Sequence, residues 1–300
     1  MERGCKAPDP PRDAARRLLR DGAPAAHRAA AERDSLSRTM TDTSGAVHAP
    51  PDDRREQEDR FAHELRVQRF LQPDDVTCGP TCLRKVYDFF GLSVGPDEVL
   101  GEIDRNEDGG TLAVFLGISA LKRGFAARIY SYDLRIFDPT WHGLVPAALA
   151  EKIHARFPYL PDSKRLRAAR AYLDFLEMGG ELAFDELSPA LLKSIIDREH
   201  PVLAGLSATY LYGYARERQL PDDRMVEDDV AGEPTGHFVV IVGYEHWGRR
   251  FSVRDPSHHV PVSGDGRQVV DGQRLINAIL LGDVTYDAVL LELWPREAAA

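Results

Sequence analysis

The sequence predicts an α+β fold, an N-terminal helical half packed on an antiparallel β-sheet supplied by the C-terminal half. Two observations point there: apolar residues recur at helical spacing between residues 78 and 124, and short β-branched and aromatic runs dominate after residue 200. A third is that no internal repeat divides the chain into equivalent units.

Taken in order, residues 1–66 read as a disordered or weakly ordered leader. Up to about residue 60 they are rich in Arg, Ala, Asp and Pro and nearly devoid of aromatic and β-branched residues, which leaves little apolar surface to offset the entropy of ordering. Met40 heads an alternative start that would put residues 1–39 outside the native protein. From Arg66, RVQRFLQ is short and alternating. Thr77 is placed to cap a helix with Pro80 in its first turn, Cys82, Leu83, Val86, Phe89 and Phe90 fall on one face, and Gly91 stands at the C-terminal cap. SVGPDEVLGEI and TLAVFLGISALKRG read as helices and FAARIYSYD as a strand. Residues 138–187 read as an insertion holding a helix in SKRLRAARAYLDFLEMGG. SPALLKSIIDREH is a helix with Pro189 near its start, and PVLAGLS a strand. Residues 208–236, full of Tyr, Arg and acids, form a second, loop-like insertion before the central strand HFVVIVGYE; RRFSVRDPSHH and YDAVLLELWP supply two more strands. Residues 67–300 are thus expected to form one domain.

The 300 residues carry a formal charge of -10 and an apolar fraction of 43%. That is ample for a buried core, and an acidic protein has no long-range attraction to nucleic acid or an anionic membrane. No apolar run reaches the ~18 residues of a membrane span, and the first thirty residues lack the apolar centre of a secretory signal. Three cysteines, Cys5, Cys78 and Cys82, make no disulfide framework and fit a reducing, cytoplasmic setting.

Cys78 is the residue that calls for explanation. A cysteine attacks as thiolate, and the unpaired N–H groups and dipole of a helix N-terminus favour negative charge. Cys78 sits there, and Gly79 beside it removes bulk that would hinder an approaching carbonyl. A general base is next required, and His237 opens the apolar strand GHFVVIVGYE. An orienting carboxylate follows in Asp255, at the end of FSVRDP, where Pro256 stops the ladder. A hairpin around EHWGRR would bring His237 and Asp255 to the same end of the sheet. Gln72, just upstream of the cysteine, offers an amide N–H to an oxyanion. Each residue alone has a structural explanation; together they form an acyl-transfer constellation.

QPDDVTCGPTCL, GHFVVIVGY and FSVRDP resemble, in order and approximate spacing, the papain-like cysteine peptidases of family C-thirty-nine, bacterial bacteriocin-processing enzymes that remove double-glycine leader peptides. The resemblance runs from about Arg66 to Pro295. It implies a papain-like fold with Cys78 as nucleophile, His237 as base, Asp255 as orienter, and Gln72 with the Cys78 backbone N–H as oxyanion hole; no cofactor is expected, and no metal, for which the chain offers too few clustered ligands. The best-known members are domains of membrane ATP-binding-cassette transporters. With neither a membrane domain nor a Walker motif in view, this chain is expected to be a stand-alone relative. Some of these resemble proteins encoded beside ATP-grasp amide ligases, which makes a ligase product one class of peptide or protein substrate.

The expected activity is therefore cleavage of a peptide or isopeptide bond through an acyl-enzyme. Alternatives are an acyltransferase or transpeptidase using the same cysteine, and a catalytically silent peptide-binding module. Cys82, one helical turn after Cys78, reads either as a redox or metal partner or as a small core residue. His258 and His259 are the densest histidine cluster. Asp138 with His142 reads as a turn, and the tyrosines of TYLYGYARER as a substrate lip or as packing.

Overall fold

In the computed structural model the described residues are 62–106, 109–221, 224–258, 266–282 and 288–296. Of the expected leader, residues 1–61, including Met40, lie outside them. The described part opens with β1 (His63–Glu64), which pairs antiparallel with residues Gly243 and Tyr244. Leu65 N–H bonds the Val242 carbonyl at 2.7 Å and its side chain is buried, as is that of Val67, so the sheet takes in residues ahead of 67. The alternating stretch RVQRFLQ is not a strand.

Helix α1 (Cys78–Phe89) buries Cys82, Leu83, Val86 and Tyr87. Gly91 terminates it in the left-handed region at φ 84°, and the Leu92 N–H closes back on the Tyr87 carbonyl at 2.9 Å. Helix α2 (Pro96–Glu102) starts on a proline, whose missing N–H costs nothing in a first turn. Helix α3 (Ala113–Lys122) is apolar nearly all round because α1, the sheet and a later helix enclose it. Strand β2 (Phe125–Ser131) follows. The 138–187 segment holds α4 (Pro146–Arg156), α5 (Ser163–Glu177) and β3 (Glu181–Ala183). Asp162 caps α5 by accepting the Arg165 N–H at 2.7 Å.

The second half comprises α6 (Pro189–Ile196), β4 (Val202–Ser207), α7 (Ala208–Tyr212), β5 (Glu217–Gln219), β6 (Met225–Glu227), β7 (Gly236–Glu245), β8 (Arg250–Arg254), β9 (Arg267–Asp271), α8 (Gly272–Leu280) and β10 (Val289–Pro295). Strands β5 and β6 form a separate hairpin, so the 208–236 segment has regular structure where the sequence suggested a loop. Among the described residues the main sheet runs β3-β2-β10-β4-β7-β8-β9, with β1 also on β7; only β2 and β3 are parallel. Helices α1 and α3 pack on it together, and α6 and α8 pack on it as another pair. Cover on both faces explains why β4 and the interior of β7 are buried at consecutive residues. This is the α+β class expected, with a helix-borne cysteine against an antiparallel-dominated sheet.

Candidate active site

The β7–β8 hairpin turns through His246, Trp247 and Gly248, all at positive φ, and its register pairs Val240 with Arg254. Antiparallel pairing therefore brings the start of β7 and the residues after β8 to one end of the sheet. There His237 Nε2 and Asp255 Oδ1 lie 3.0 Å apart, with His237 9% and Asp255 1% exposed. Asp255 Oδ1 also accepts the Ser257 N–H at 2.7 Å, and its Oδ2 accepts a hydrogen bond from the Tyr212 hydroxyl.

Helix α1 packs across β7 and carries Cys78, partly buried, at its first residue. Cys78 stands close enough to the His237 ring to favour its charged form. With Nε2 committed to Asp255, Nδ1 is the nitrogen left for the thiol. Burial works against charge on the ring, but the Asp255 carboxylate, its hydrogen bond and Cys78 outweigh it and push the imidazole up to about 10. Burial likewise works against ionised Asp255. His237, Tyr212 and the Ser257 N–H prevail, holding the carboxyl below its usual range.

Two details of α1 differ from the sequence expectation. Thr77 occupies the N-cap, but its hydroxyl donates to the Asp74 carbonyl at 3.2 Å and makes no cap bond. Gly79 faces inward: a Cβ there would stand 2.7 Å from Thr111 Cγ2 and 3.3 Å from both Leu116 and Phe238, so its small size serves helix–sheet packing, not carbonyl access.

Gln72 is 5% exposed on the loop before α1. Its N–H bonds the Pro256 carbonyl at 2.8 Å and its carbonyl accepts from His258 Nε2 at 2.7 Å, which ties the loop to the chain just after Asp255. The amide Nε2 donates to the Asp74 carbonyl at 2.8 Å, while buried Oε1 has no partner.

Cys82 is fully buried and donates its thiol to the Phe238 carbonyl at 3.3 Å. Burial drives its pKa far up, against the opposing charge of Lys85, which marks an inert core thiol and not a redox partner. Among the described residues no group of three or more His, Cys, Asp and Glu stands together as metal ligands, and His259 lies outside the described residues. Asp138 accepts from the Thr140 N–H and hydroxyl and caps a short turn, as expected. A cavity of about 530 Å³ between α4 and α5 is lined by Ala150, His154, Leu173 and their neighbours, and by none of the four candidate residues.

Sequence reasoning missed two groups. Tyr212 was one tyrosine among several, with no spacing to single it out. Lys85, on α1, carries no sequence signal that would single it out, and it is fully buried with Nζ 3.4 Å from the Arg254 carbonyl, where burial pulls its pKa down.

The thiol thus stands at a helix start, the imidazole at the start of a central strand, and the carboxylate just after the neighbouring strand. Solved structures with a similar fold include a double-glycine-motif protease from an AMS/PCAT transporter in complex with a leader peptide, 14% identical at TM-score 0.36, covering 78% of this chain and 94% of that one. The peptidase domain of Streptococcus ComA, a bifunctional transporter, is 13% identical at TM-score 0.36, covering 77% and 100%. Xylellain, a cysteine protease from Xylella fastidiosa, is 16% identical at TM-score 0.38, covering 79% and 86%. Likeness at that level assigns no chemistry to this chain. No protein-family profile matches it, and neither does any curated protein. No described helix is long and apolar enough to cross a membrane.

Proposed function

We propose that the protein is a cysteine peptidase that cleaves a peptide or isopeptide bond. The observation that carries the reading is a buried imidazole bonded to Asp255 through Nε2 at 3.0 Å while interacting with the Cys78 thiol at the start of α1. His237, held as imidazolium by Asp255, already carries the proton as the Cys78 sulfur attacks the substrate carbonyl carbon, and the carbonyl electron pair moves onto oxygen. The Cys78 backbone N–H and the second N–H of Gln72 Nε2 would stabilise that oxyanion. Support for the Gln72 role is its burial and its double tether to the residues after Asp255. Collapse breaks the C–N bond, His237 returns the proton to the leaving amine, and water activated by the same ring then hydrolyses the thioester. Asp255 holds the ring orientation throughout and stabilises the imidazolium.

The test is labelling by a peptidyl electrophile, read by intact mass and peptide mapping, on wild type and on Cys78→Ala, His237→Ala and Cys82→Ala. Modification confined to Cys78, lost without His237 and indifferent to Cys82, is the expected result. Slow labelling that ignores His237 would overturn it and leave a binding module.

A further inference from the structure

We propose that Tyr212 is a positioning residue of this site: its hydroxyl fixes the second oxygen of Asp255, so that the carboxylate, and through it the imidazole, is held by the 208–236 segment. The inference rests on the peptidase reading and extends it to a residue outside the triad.

Asp255 has its two oxygens assigned to different donors. Oδ1 takes His237 and the Ser257 N–H, and Oδ2 takes Tyr212. A carboxylate bound through one oxygen alone can swing about its Cβ–Cγ bond; a donor on the other oxygen fixes its plane, and with it the direction in which His237 is held. The phenol is suited to the task. Burial and the neighbouring carboxylate push it well above its ordinary value, so it stays a donor. The remaining groups that act on Asp255 are Tyr214 from the same segment and Cys82 and Lys85 from α1.

Tyr212 is itself held from two sides. Arg274 of α8 donates to the Leu211 carbonyl at 2.7 Å and to the Tyr210 carbonyl at 2.8 Å, and Gly213 ends α7 at φ 73°. At the segment's far end the Thr235 carbonyl accepts the Ala208 N–H at 2.9 Å, and the Thr235 N–H bonds Thr209 Oγ1 at 2.9 Å. Thr235 is two residues before His237. Both ends of the segment thus close beside the imidazole, and movement of the segment is transmitted to both members of the His–Asp pair.

The test is the rate of Cys78 alkylation by iodoacetamide at pH 5 and pH 8, read by intact mass, in wild type, Tyr212→Phe and His237→Ala, with a melting curve for each. Without the hydroxyl, Asp255 takes up a proton more readily in acid and the imidazolium beside Cys78 loses its counter-charge. Tyr212→Phe is expected to react about tenfold more slowly than wild type at pH 5, the effect of one hydrogen bond to a charged group, and within about twofold at pH 8. A rate ratio unchanged between the two pH values, with or without a lower Tm, would show a packing role and overturn the inference alone. Wild-type alkylation indifferent to His237 would instead sink the peptidase reading. Should Tyr212→Phe not fold, Arg274→Gln replaces it: Arg274 holds the Leu211 and Tyr210 carbonyls, so its loss loosens the backbone that presents Tyr212 to Asp255. About a twofold loss confined to pH 5 is expected, and an unaltered profile counts against the proposal.

Discussion

His237 and Asp255 are displaced in opposite directions for one reason: each charge is buried against the other. In the unfolded chain their ordinary values return, about 6.5 for the ring and about 4 for the carboxyl. The raised ring contributes stability that is fully present below about 6.5 and lost as pH rises through about 10. The lowered carboxyl contributes stability present above about 4 and lost as pH falls through its folded value. Wild type should therefore lose more Tm than His237→Gln between pH 6.5 and pH 10, by about 5 °C. Parallel melting curves would mean that the folded ring is uncharged at neutral pH. At this scale the sequence was informative wherever position implies environment. Cys78 was legible from its helix start, and the His–Asp pair from one hairpin. Tyr212 and Lys85 were not, because their roles come from contacts with Asp255 and with the Arg254 carbonyl, distant in the chain.

Helix α1 shows how tightly an element must seat to present its first residue. Gly79 lies where a methyl group would meet the Thr111 methyl at 2.7 Å, and Thr111 is 8% exposed, anchored by its hydroxyl to the Asp104 carbonyl at 2.9 Å. Gly79→Ala should destabilise by about 1–2 kcal/mol, overpacking outweighing the better helix propensity of alanine, and should slow Cys78 labelling. Thr111→Ser removes the clashing methyl and keeps the hydroxyl, so the double variant should recover at least half of both losses in a urea melt. Additive losses would place the clash elsewhere. The same packing decides which elements could be read in advance. Helices with a broad apolar face, such as α1, α3 and α6, announce themselves by period. Helix α4 buries only Leu149 and Ile153, and the β5–β6 hairpin is largely exposed, pinned by Asp228 accepting the Ala231 N–H at 2.8 Å. Neither has a face large enough to leave a pattern. Helix α8 has one, with an Asp271 cap bonded to the Arg274 N–H at 3.0 Å, but it opens on Gly272, which reads as a turn and is needed because a Cβ there would stand 2.8 Å from the Gly248 carbonyl oxygen.

Across the whole molecule the last described strand is not an edge. Strand β10 inserts between β2 and β4, so among the described residues β10 joins the part of the sheet that carries β7 and His237 to β2 and β3. Such long-range pairing slows folding, and no local pattern reveals it. One buried charge marks the junction. Glu292 of β10 is 1% exposed and takes Tyr130 of β2 at 3.0 Å, Arg198 at 2.7 Å and His200 Nδ1 at 2.7 Å, the last two leading into β4. Burial opposes the carboxylate, but these donors hold its pKa below the usual range, so its contribution is present above about 4 and lost as pH falls through the folded value. Glu292→Ala removes the acceptor shared by both neighbours and leaves their donors without it. The cost should be about 3 kcal/mol at pH 7, below the upper range for a broken buried pair because Arg198, 42% exposed, can turn to water. Urea melts should show that loss shrinking toward pH 3, while Cys78 labelling in the folded protein stays His237-dependent. A loss of the same size at pH 3 would instead assign the effect to the cavity left by the side chain, and β10 would then owe its central place to apolar packing alone.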